Sequence, residues 1–582
     1  MTATALGQAP GPHETTRSFC DRELRWLALA VAAFVAFVAL LPFLRLVLEA
    51  ITRGGSLDLS GALRALSHPH VWQASLNTLE IGLASSVIAL TLGATFAITL
   101  AIADVPAKRV LVLVFIWSLM IAPQVAALAF KTLLGPASPL LGAIGLAPPA
   151  GTPNPVVGKL GIIAVLGLHH APLAAITLAP ALARIPASVI DAARVDGAGP
   201  ASVVLRIIVP LAAPALVAAS LIVLLAGIGN FGIPALLGIP AGVLTLPTLI
   251  YRQLSSFGPS VIADTATLSL MTGSLAIVVA LAATAAIGRV RTHVSSDATM
   301  QPFLELGRAR GPIAVALWLL IAVSAIIPFL SLVATSLVPA YGMRLGFATL
   351  TFEAYQEVLA RQKLTYRALR NSGLLAGAAA VLLAFAAVFV AYVIERRPRR
   401  WMPLLETTLE LPYVLPGVVL AIACILLFLK PLPLIGISIY ATPAIILFAY
   451  LARFLPVALK PVRATLANLA RDCEEAAAVD GARLWQRLVR VVGPSVLPSV
   501  LAGGLLVFLL AFNELTVSAL LWSAGTETLG VALLSLEDAG LATEAAALAV
   551  VTALIVAGLL IILDRLSRVL PRGTLPWDTL GR

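Results

Sequence analysis

One stretch of this sequence occurs twice. Residues 191–210 read DAARVDGAGPASVVLRIIVP, and residues 475–494 read EAAAVDGARLWQRLVRVVGP. Both copies contain an acidic residue followed by two alanines, then Val-Asp-Gly-Ala and a closing proline, at a constant step of 284 residues. The chain is therefore predicted to be a tandem duplication.

Long apolar runs flank both copies. Apolar residues make up 60% of the sequence and charged residues 12%, and the mean hydropathy is +1.01, values that exclude an ordinary soluble domain. Twelve runs reach about 20 residues, the length of a helix that spans a bilayer. We predict an all-α polytopic membrane protein with about 12 transmembrane helices in two homologous six-helix halves. The predicted spans are 26–48, 77–103, 110–134, 159–183, 212–237, 262–287, 312–337, 372–394, 404–429, 437–458, 497–522 and 543–563.

Each copy of the repeat is the most polar segment in its neighbourhood, so we expect a loop with short helices on one side of the membrane. The acidic residue is expected to open a helical turn, where free amides and the helix dipole favour a carboxylate. Ser188 precedes Asp191 at a capping-box spacing. The paired alanines make a narrow helix that a groove on another protein admits closely. Gly197 and Gly481 permit the backbone to bend.

The pattern of both copies resembles the EAA loop of bacterial ABC importer permeases. The last turn departs from the usual Leu-Pro of that family, since it reads Val209-Pro210 and Gly493-Pro494. The resemblance implies a type I permease subunit with two copies of a cytoplasmic ABC ATPase docked on its loops and a periplasmic solute-binding protein as a further partner. The ATPase-coupling residues that it implies are Asp191, Ala192, Ala193, Asp196, Gly197, Pro210, Glu475, Ala476, Ala477, Asp480, Gly481 and Pro494.

The distribution of basic residues predicts the orientation. If the N-terminus is cytoplasmic, 27 of the 39 Lys and Arg residues lie on that side, as the positive-inside rule favours. Both termini and both loops then face the cytoplasm of a bacterial inner membrane, and the net charge of +11 indicates topology rather than nucleic-acid binding. The predicted divisions are a cytoplasmic tail (1–25, disordered over its first 20 residues), a first permease domain (26–288, with its loop at 187–214), a cytoplasmic linker (289–311), a second permease domain (312–566, with its loop at 471–498) and a cytoplasmic C-terminal tail (567–582).

Other positions also match between the halves. Asn77 corresponds to Asn371, and Ala122-Pro123 corresponds to Leu415-Pro416. Two segments are expected on the external side. Residues 135–159 are predicted to form a loop or a short interfacial helix, and residues 345–370 are either a solvated connector or part of the surface that receives a binding protein.

The sequence carries no pattern for nucleotide or metal chemistry. Gly158-Lys159 is followed by leucine and lacks the glycine spacing of a Walker A motif, so we predict a transport subunit without enzyme activity or cofactor. His169 and His170 point about 100° apart on a helix, which favours a buried, hydrogen-bonded role over metal ligation. The cysteines are too widely spaced for a disulfide framework or metal site; they are Cys20, Cys424 and Cys473.

Polar residues inside predicted spans are candidates for the translocation pathway, because burying them in a bilayer is costly. Asn230 and Glu514 correspond at the 284-residue step, and Asn513 precedes Glu514. These sites differ in charge, a carboxylate against an amide, which favours a cationic cargo. Asp264 and Glu544 begin two later spans and are expected to be helix caps or, alternatively, gate residues.

The sequences Asn230-Phe231-Gly232-Ile233-Pro234 and Glu514-Leu515-Thr516 resemble those of fused ferric iron permeases and their thiamine and phosphonate relatives. The resemblance implies ferric iron as the cargo, with thiamine, polyamine and phosphonate as alternatives. A secondary transporter with internal repeats and an insertase-like scaffold are the alternatives from other classes. Neither accounts for the paired loops.

Overall fold

The computed structural model describes two bundles of long apolar helices. Within its described residues, eleven helices are long and apolar enough to span a bilayer, or twelve if one bent pair counts as a single span. One short antiparallel β-hairpin (β1, Thr52–Arg53; β2, Ser56–Leu57) is also present. The predicted all-α polytopic fold is confirmed. The described residues are 12–53, 56–57, 67–149, 151–256, 261–289, 304, 307–396, 400–431, 436, 438–566, 577 and 580.

The first half begins with a helix that passes through a π-helical turn at Ala36–Leu40. A second π-turn, Val204–Ile208, follows the first copy of the repeat. The α-helices of this half are α1 (Pro12–Val35), α2 (Leu41–Ile51), α3 (Pro69–Ile102), α4 (Lys108–Met120), α5 (Pro123–Leu134), α6 (Pro139–Ala143), α7 (Lys159–Ala183), α8 (Ala187–Val195), α9 (Pro200–Val203), α10 (Val209–Ile228), α11 (Gly232–Leu237), α12 (Leu246–Leu254) and α13 (Val261–Arg289).

The second half repeats this order, with π-turns at Ala322–Ile326, Glu357–Arg361 and Leu488–Val492. Its α-helices are α14 (Arg310–Ile321), α15 (Ile327–Ser336), α16 (Glu353–Gln356), α17 (Lys363–Arg396), α18 (Met402–Val414), α19 (Gly417–Phe428), α20 (Pro443–Asn468), α21 (Asp472–Val479), α22 (Leu484–Arg487), α23 (Gly493–Phe512), α24 (Ser518–Leu521), α25 (Leu529–Asp538) and α26 (Ala542–Leu566).

The first spanning helix of each half packs on the other half. α2 lies against α19, and α15 lies against α5. Aromatic pairs also join the halves beside these contacts. The rings of Phe37, in the π-turn before α2, and Phe448, in α20, lie 5.5 Å apart, and the rings of Trp117, in α4, and Phe329, in α15, lie 5.0 Å apart. The two halves therefore exchange their first helices and form one body.

Two predicted spans are broken at proline. The span 110–134 divides into α4 and α5, and the span 404–429 divides into α18 and α19, which meet at an angle of 105°. Proline disfavours a helical conformation in the preceding residue, and Ala122 and Leu415 are both extended, with ψ of 140° and 145°. The prediction that these runs form continuous helices is wrong for this reason.

The predicted spans 212–237 and 497–522 are also interrupted. α10 ends at Ile228 and α11 begins at Gly232, and α23 ends at Phe512 before the short α24. Each interruption falls at the polar residues singled out in the sequence. Side-chain caps, described below, satisfy the amides that each break exposes.

Corresponding hydrogen bonds demonstrate the duplication in three dimensions. Asn77 Nδ2 donates to Leu244 O at 2.9 Å, and Asn371 Nδ2 donates to Gly525 O at 3.0 Å. In each half the long second helix is thereby tied to the segment that follows the broken one. The match predicted between Asn77 and Asn371 has a structural basis.

Several predicted connections take on defined structure. The prediction of a disordered tail is wrong from Pro12 onward, because α1 begins there, and residues 1–11 lie outside the described residues. The segment 135–159 contains the short helix α6, as predicted. Most of the predicted linker also lies outside the described residues, but Leu304 N donates to Ile102 O at 2.9 Å and ties it to α3.

Candidate functional site: the central cavity and the repeated loops

The first repeated loop (187–214) and the second repeated loop (471–498) have the same backbone turn. Gly197 and Gly481 follow α8 and α21 with φ of +84° and +83°. Ala198 N donates to Ala193 O, and Ala482 N donates to Ala477 O, both at 2.9 Å. This is the Schellman ending, in which glycine supplies the left-handed residue. The bend predicted at both glycines is present.

The two loop helices start differently, and only the second starts as predicted. α8 begins at Ala187 without a side-chain cap, so Ser188 does not form the predicted capping box and Asp191 lies beyond the first turn. Asp191 instead pairs loosely with Arg194 at 3.9 Å. Glu475 lies in the first turn of α21, as predicted. The prediction of a helix-opening carboxylate is therefore wrong for the first loop.

Both loops present an open surface. Val195 and Val479, at corresponding positions, are 88% and 71% exposed. A valine this exposed at both positions leaves an apolar side chain without a partner in the chain itself. The exposed residues of the predicted coupling set include Asp191, Ala192, Asp196, Gly197, Pro210, Glu475, Ala476, Asp480, Gly481 and Pro494, whereas Ala193 and Ala477 are half-buried.

The second repeated loop rests on buried charged groups. Glu474 Oε2 lies 3.1 Å from Arg396 Nε, and Glu474 Oε1 lies 3.7 Å from Arg487 Nη1. The Tyr392 hydroxyl also donates to Glu474. The three charged side chains are only 7–8% exposed. We call these four residues, from α17, α21 and α22, the ionic seat.

The first repeated loop rests on apolar groups at the corresponding positions. Ile190 of α8 and Val203 of α9 take the places of Glu474 and Arg487 at the 284-residue step, and both are fully buried. Ile98 and Ile102 of α3 take the places of Tyr392 and Arg396 at the step that relates Asn77 to Asn371. All four belong to one hydrophobic cluster. We call them the apolar seat.

A cavity of about 580 Å³ lies between the two halves where the four helix breaks meet. Its wall includes Pro123 and Pro416 at one pair of breaks, and Asn230 and Glu514 at the other. The cavity extends toward the repeated loops, since its wall also includes Lys460, a mostly exposed residue near the loop end of α20. The two halves therefore jointly build one central space.

The predicted pathway residues are brought together at this cavity. Asn230 Oδ1 accepts from Ile233 N at 3.1 Å, while the two Glu514 oxygens accept from Val517 N at 2.8 Å and Ser518 N at 3.1 Å. Each side chain thus caps the short helix after its break. Asn230, Asn513 and Glu514 all line the cavity.

Contacts at the cavity cross between the halves. Gln124 Nε2 donates to Asn513 O, and Asn513 Nδ2 donates to Met120 O, both at 3.4 Å. A Cβ added to Gly229 would lie 3.4 Å from Pro416 Cα, so the reciprocal break also packs across the interface. Movement of one half against the other must therefore change the shape of this cavity.

Arg453 is a cavity residue that the sequence analysis did not single out. It lies near the middle of α20, and a Cβ added to Gly417 would lie only 2.3 Å from its Nη1. At the 284-residue step it corresponds to His169. The signal that identifies it in the sequence is a lone arginine inside the predicted span 437–458.

The remaining polar candidates lie elsewhere. His169 and His170 are buried as predicted, but no described residue forms a hydrogen bond with His170 Nδ1, so the predicted hydrogen-bonded role is not seen for that atom. Asp264 and Glu544 lie in the first turns of α13 and α26. Neither carboxylate lines the central cavity, and the choice between cap and gate stays a prediction.

Comparison with known proteins identifies the family. Residues 90–294 and 384–575 match the model of the family described as binding-protein-dependent transport system inner membrane component. The chain is 25% identical over 566 residues to Probable ABC transporter permease protein y4fN of Sinorhizobium fredii, covering 94% of this chain and 97% of that one.

Shorter matches extend to permeases with named cargo. Putative ferric transport system permease protein FbpB 1 of Haemophilus influenzae is 29% identical over 27% of this chain and 24% of its own length. Putative 2-aminoethylphosphonate transport system permease protein PhnV of Salmonella typhimurium is 28% identical over 30% of this chain and 62% of its own length. The chain belongs to the binding-protein-dependent transport system inner membrane components and is the permease component of an ABC importer.

Proposed function

We propose that the solute crosses the membrane through the central cavity between the two halves. The main support for this proposal is that four helix breaks, two from each half, meet at the cavity. They bring Asn230, Asn513 and Glu514 to the cavity wall. Helix breaks are tolerated at membrane depth where they line a cavity rather than lipid. Relative movement of the halves then opens the route to one side at a time.

We further propose that a partner ATPase docks on each repeated loop, with a periplasmic binding protein on the opposite face. α10 and α23 each run from a repeated loop to a break at the cavity. A 20-residue helix extends over about 30 Å, so it conveys a displacement of the loop to the cavity. In this proposal the chain lies in a bacterial inner membrane, with both loops and both termini on the cytoplasmic side. Residues 26–288 and 312–566 are the two units that move.

The docking proposal is tested by the two glycines that end the loop helices. Valine at Gly197 and Gly481 meets open space but is strained by the positive φ, at a cost of about 1–3 kcal/mol per site. We expect the double variant Gly197→Val/Gly481→Val to lose co-purification with its ATPase and uptake into proteoliposomes. The control is Gly199→Val, because Gly199 also faces open space but has φ of −70°. Equal behaviour of the double variant and the wild type would refute docking through these loops.

The orientation is tested by labelling the native cysteines. Cys473, in the second repeated loop, is exposed, whereas Cys424 is buried. In a Cys20→Ser background, an impermeant thiol reagent is expected to label Cys473 in inside-out vesicles but not in intact spheroplasts. Labelling only in spheroplasts would reverse the proposed topology.

For the cargo, we propose ferric iron from the sequence resemblance, with thiamine, polyamine and phosphonate as alternatives. The names of the relatives support a small polar solute as the cargo, since they include both ferric and 2-aminoethylphosphonate transport. The deciding experiment is to purify the cognate binding protein and identify its ligand by mass spectrometry and metal analysis. Iron bound to the purified binding protein would support ferric iron as the cargo. An organic ligand would identify a different cargo.

A further inference from the structure

Arg453 lies at membrane depth with an unused hydrogen-bond donor. It is the eleventh residue of α20, about 15 Å along the helix. Arg453 makes no ion pair within 4 Å, and its buried Nη1 has no hydrogen-bond partner among the described residues. Its charge interacts through space with the carboxylate of Glu514, but a guanidinium with an unused donor is costly at this depth and marks a functional position.

The surroundings of Arg453 fix its guanidinium at the cavity. Gly417 begins α19 directly after the break at Pro416, and its missing side chain leaves the space that Arg453 Nη1 occupies. Thr516, from the other break of the same half, closes this space, with its Cγ2 2.9 Å from the position of a Gly417 Cβ. The guanidinium is therefore held between two helix breaks.

The other charged groups of the cavity already have partners. Both oxygens of Glu514 accept backbone hydrogen bonds at the start of α24. Lys460 pairs with Glu410 at 3.4 Å and lies over the Tyr413 ring. Arg453 is thus the charged cavity residue whose hydrogen-bonding capacity is unused.

Two acceptors lie on the same cavity wall. Gln124 Oε1 and Asn513 Oδ1 are buried and accept no hydrogen bond from the part of the chain that the structure describes. Their amide nitrogens are engaged in the contacts that cross between the halves, which directs the oxygens to accept from another group. A ligand that satisfies the wall as a whole therefore carries a strong acceptor for the guanidinium, for which an anionic group is best suited, and an N–H or O–H donor for the two amide oxygens.

We propose that Arg453 is the recognition residue for the anionic group of a small solute, with Gln124 and Asn513 accepting from its donor groups. This inference rests on the proposed function, because it takes the central cavity to be the solute route. Guanidinium binds carboxylate, phosphonate and sulfate groups through paired hydrogen bonds. Among the cargoes proposed above, phosphonate carries such a group, whereas ferric iron, thiamine and polyamines are cations. Recognition by Arg453 therefore selects phosphonate in place of ferric iron, which was proposed from the sequence resemblance alone.

The test measures protection of a single cysteine in the cavity of the full chain in nanodiscs. Val414→Cys is introduced three residues before Gly417 in a Cys20→Ser/Cys424→Ala/Cys473→Ser background, and its reaction with a neutral methanethiosulfonate is timed. The added probes are inorganic phosphate, sulfate and 2-aminoethylphosphonate, with thiamine and spermidine as cationic comparisons. We expect the anionic probes to slow the reaction and the cationic probes to leave it unchanged.

Two variants remove the recognition in different ways. Arg453→Gln is expected to raise the half-protecting concentration about tenfold or more, because charge-assisted hydrogen bonds are lost. Gly417→Ala keeps every charge but displaces the guanidinium, and the same direction of change is expected. The matched controls are Lys460→Gln, which removes a paired cation from the same cavity, and Gly377→Ala, where the added Cβ has only an ordinary contact 4.0 Å from Phe508.

The outcomes separate this inference from the proposed function. Equal protection in the wild type and Arg453→Gln, or an equal loss in Lys460→Gln, overturns the assignment to Arg453. Protection by thiamine or spermidine but not by the anions, or by none of the probes, overturns the anionic ligand class. In each of these cases, unchanged uptake and unchanged assembly with the ATPase would still support the importer function. Wild-type behaviour of Gly197→Val/Gly481→Val, in contrast, would contradict the proposed function itself.

Discussion

The two repeated loops rest on the helix bundle through contacts of opposite chemistry at corresponding positions. The ionic seat places Glu474 between two arginines, while the apolar seat places Ile190 among aliphatic side chains. The backbone turn above both seats is the same, down to the left-handed glycine. Duplication has therefore preserved the geometry of the loop while the groups beneath it diverged.

The difference matters because a single substitution destabilises the two seats by different physical mechanisms. An apolar contact loses free energy in proportion to the volume removed. A buried ion cluster depends on its complete set of partners, since removing one leaves the others charged and unpaired. The second loop is thus expected to be the more sensitive of the two to a single substitution.

The largest effect is expected for Glu474→Ile, which places the kind of residue found in the apolar seat into the ionic seat. Arg396 and Arg487 then lose the buried carboxylate that they share, at a cost of about 3–5 kcal/mol in the free energy of unfolding. Thermal unfolding of the purified chain in detergent measures it. The control is Glu475→Ile, since the neighbouring carboxylate is exposed and its replacement is expected to cost less than about 0.5 kcal/mol. Similar losses in both variants would contradict the ionic seat.

The second prediction replaces all four residues of the ionic seat by the residues of the apolar seat. A variant with Tyr392→Ile, Arg396→Ile, Glu474→Ile and Arg487→Val gives the second loop an apolar seat. Replacing a whole buried ion cluster by apolar groups is often neutral or stabilising by about 1–4 kcal/mol. We expect this variant to unfold at or above the wild-type temperature. If it is as unstable as Glu474→Ile alone, the two seats are not interchangeable. That result would contradict the view that they are alternative solutions for the same position.

A third prediction concerns the same kind of divergence on the opposite face of the bundle. Lys131 of the first half pairs with Glu537 of the second, next to Asp538. The corresponding position to Lys131, at the step that relates Pro123 to Pro416, is the uncharged Cys424. Lys131→Met is expected to destabilise the chain by about 1–3 kcal/mol, because it leaves a buried carboxylate without its partner.

The effect of Lys131→Met should depend on pH. Burial and the charge of Glu537 raise the pKa of Asp538, and Lys131 offsets part of that rise. Ionised Asp538 therefore costs stability in the folded state, and this cost disappears as the pH falls through its raised pKa. Without Lys131 the cost grows, so the loss in unfolding temperature is expected to be larger at pH 8 than at pH 5. A loss that is independent of pH would show that the lysine acts through packing alone.

Most of the fold could be predicted from the sequence because its signals are local. The span predicted at 159–183 coincides with α7, since a glycine precedes it and an arginine follows it. The two glycine turns were also predictable, because only glycine suits a left-handed position at the end of a helix. The helix breaks were not predicted, since the length of a mostly apolar run indicates a span whether or not a proline such as Pro123 or Pro416 breaks the helix within it.

The candidate site was predicted only in part, because its contacts join distant residues. Asn230 and Glu514 were visible as polar residues in apolar spans, but their capping role requires the helix break. Arg453 was overlooked although it carries the same signal. The ionic seat joins α17 to α21 and α22, and no local pattern shows that Glu474, rather than the neighbouring Glu475, turns inward.

The smallest effect is expected for Ile190→Val in the apolar seat. The substitution removes one methylene from a fully buried side chain, which costs about 0.5–1.5 kcal/mol. Because no charge is involved, the change in unfolding temperature should be the same at low and high salt. Glu474→Gln is the paired measurement, since it keeps the shape of the ionic seat but removes the carboxylate charge that Arg396 and Arg487 share, and it should therefore cost more than Ile190→Val. A larger loss for Ile190→Val than for Glu474→Gln would mean that packing, not charge, sets the stability of both loops, and that the two seats differ in composition but not in kind.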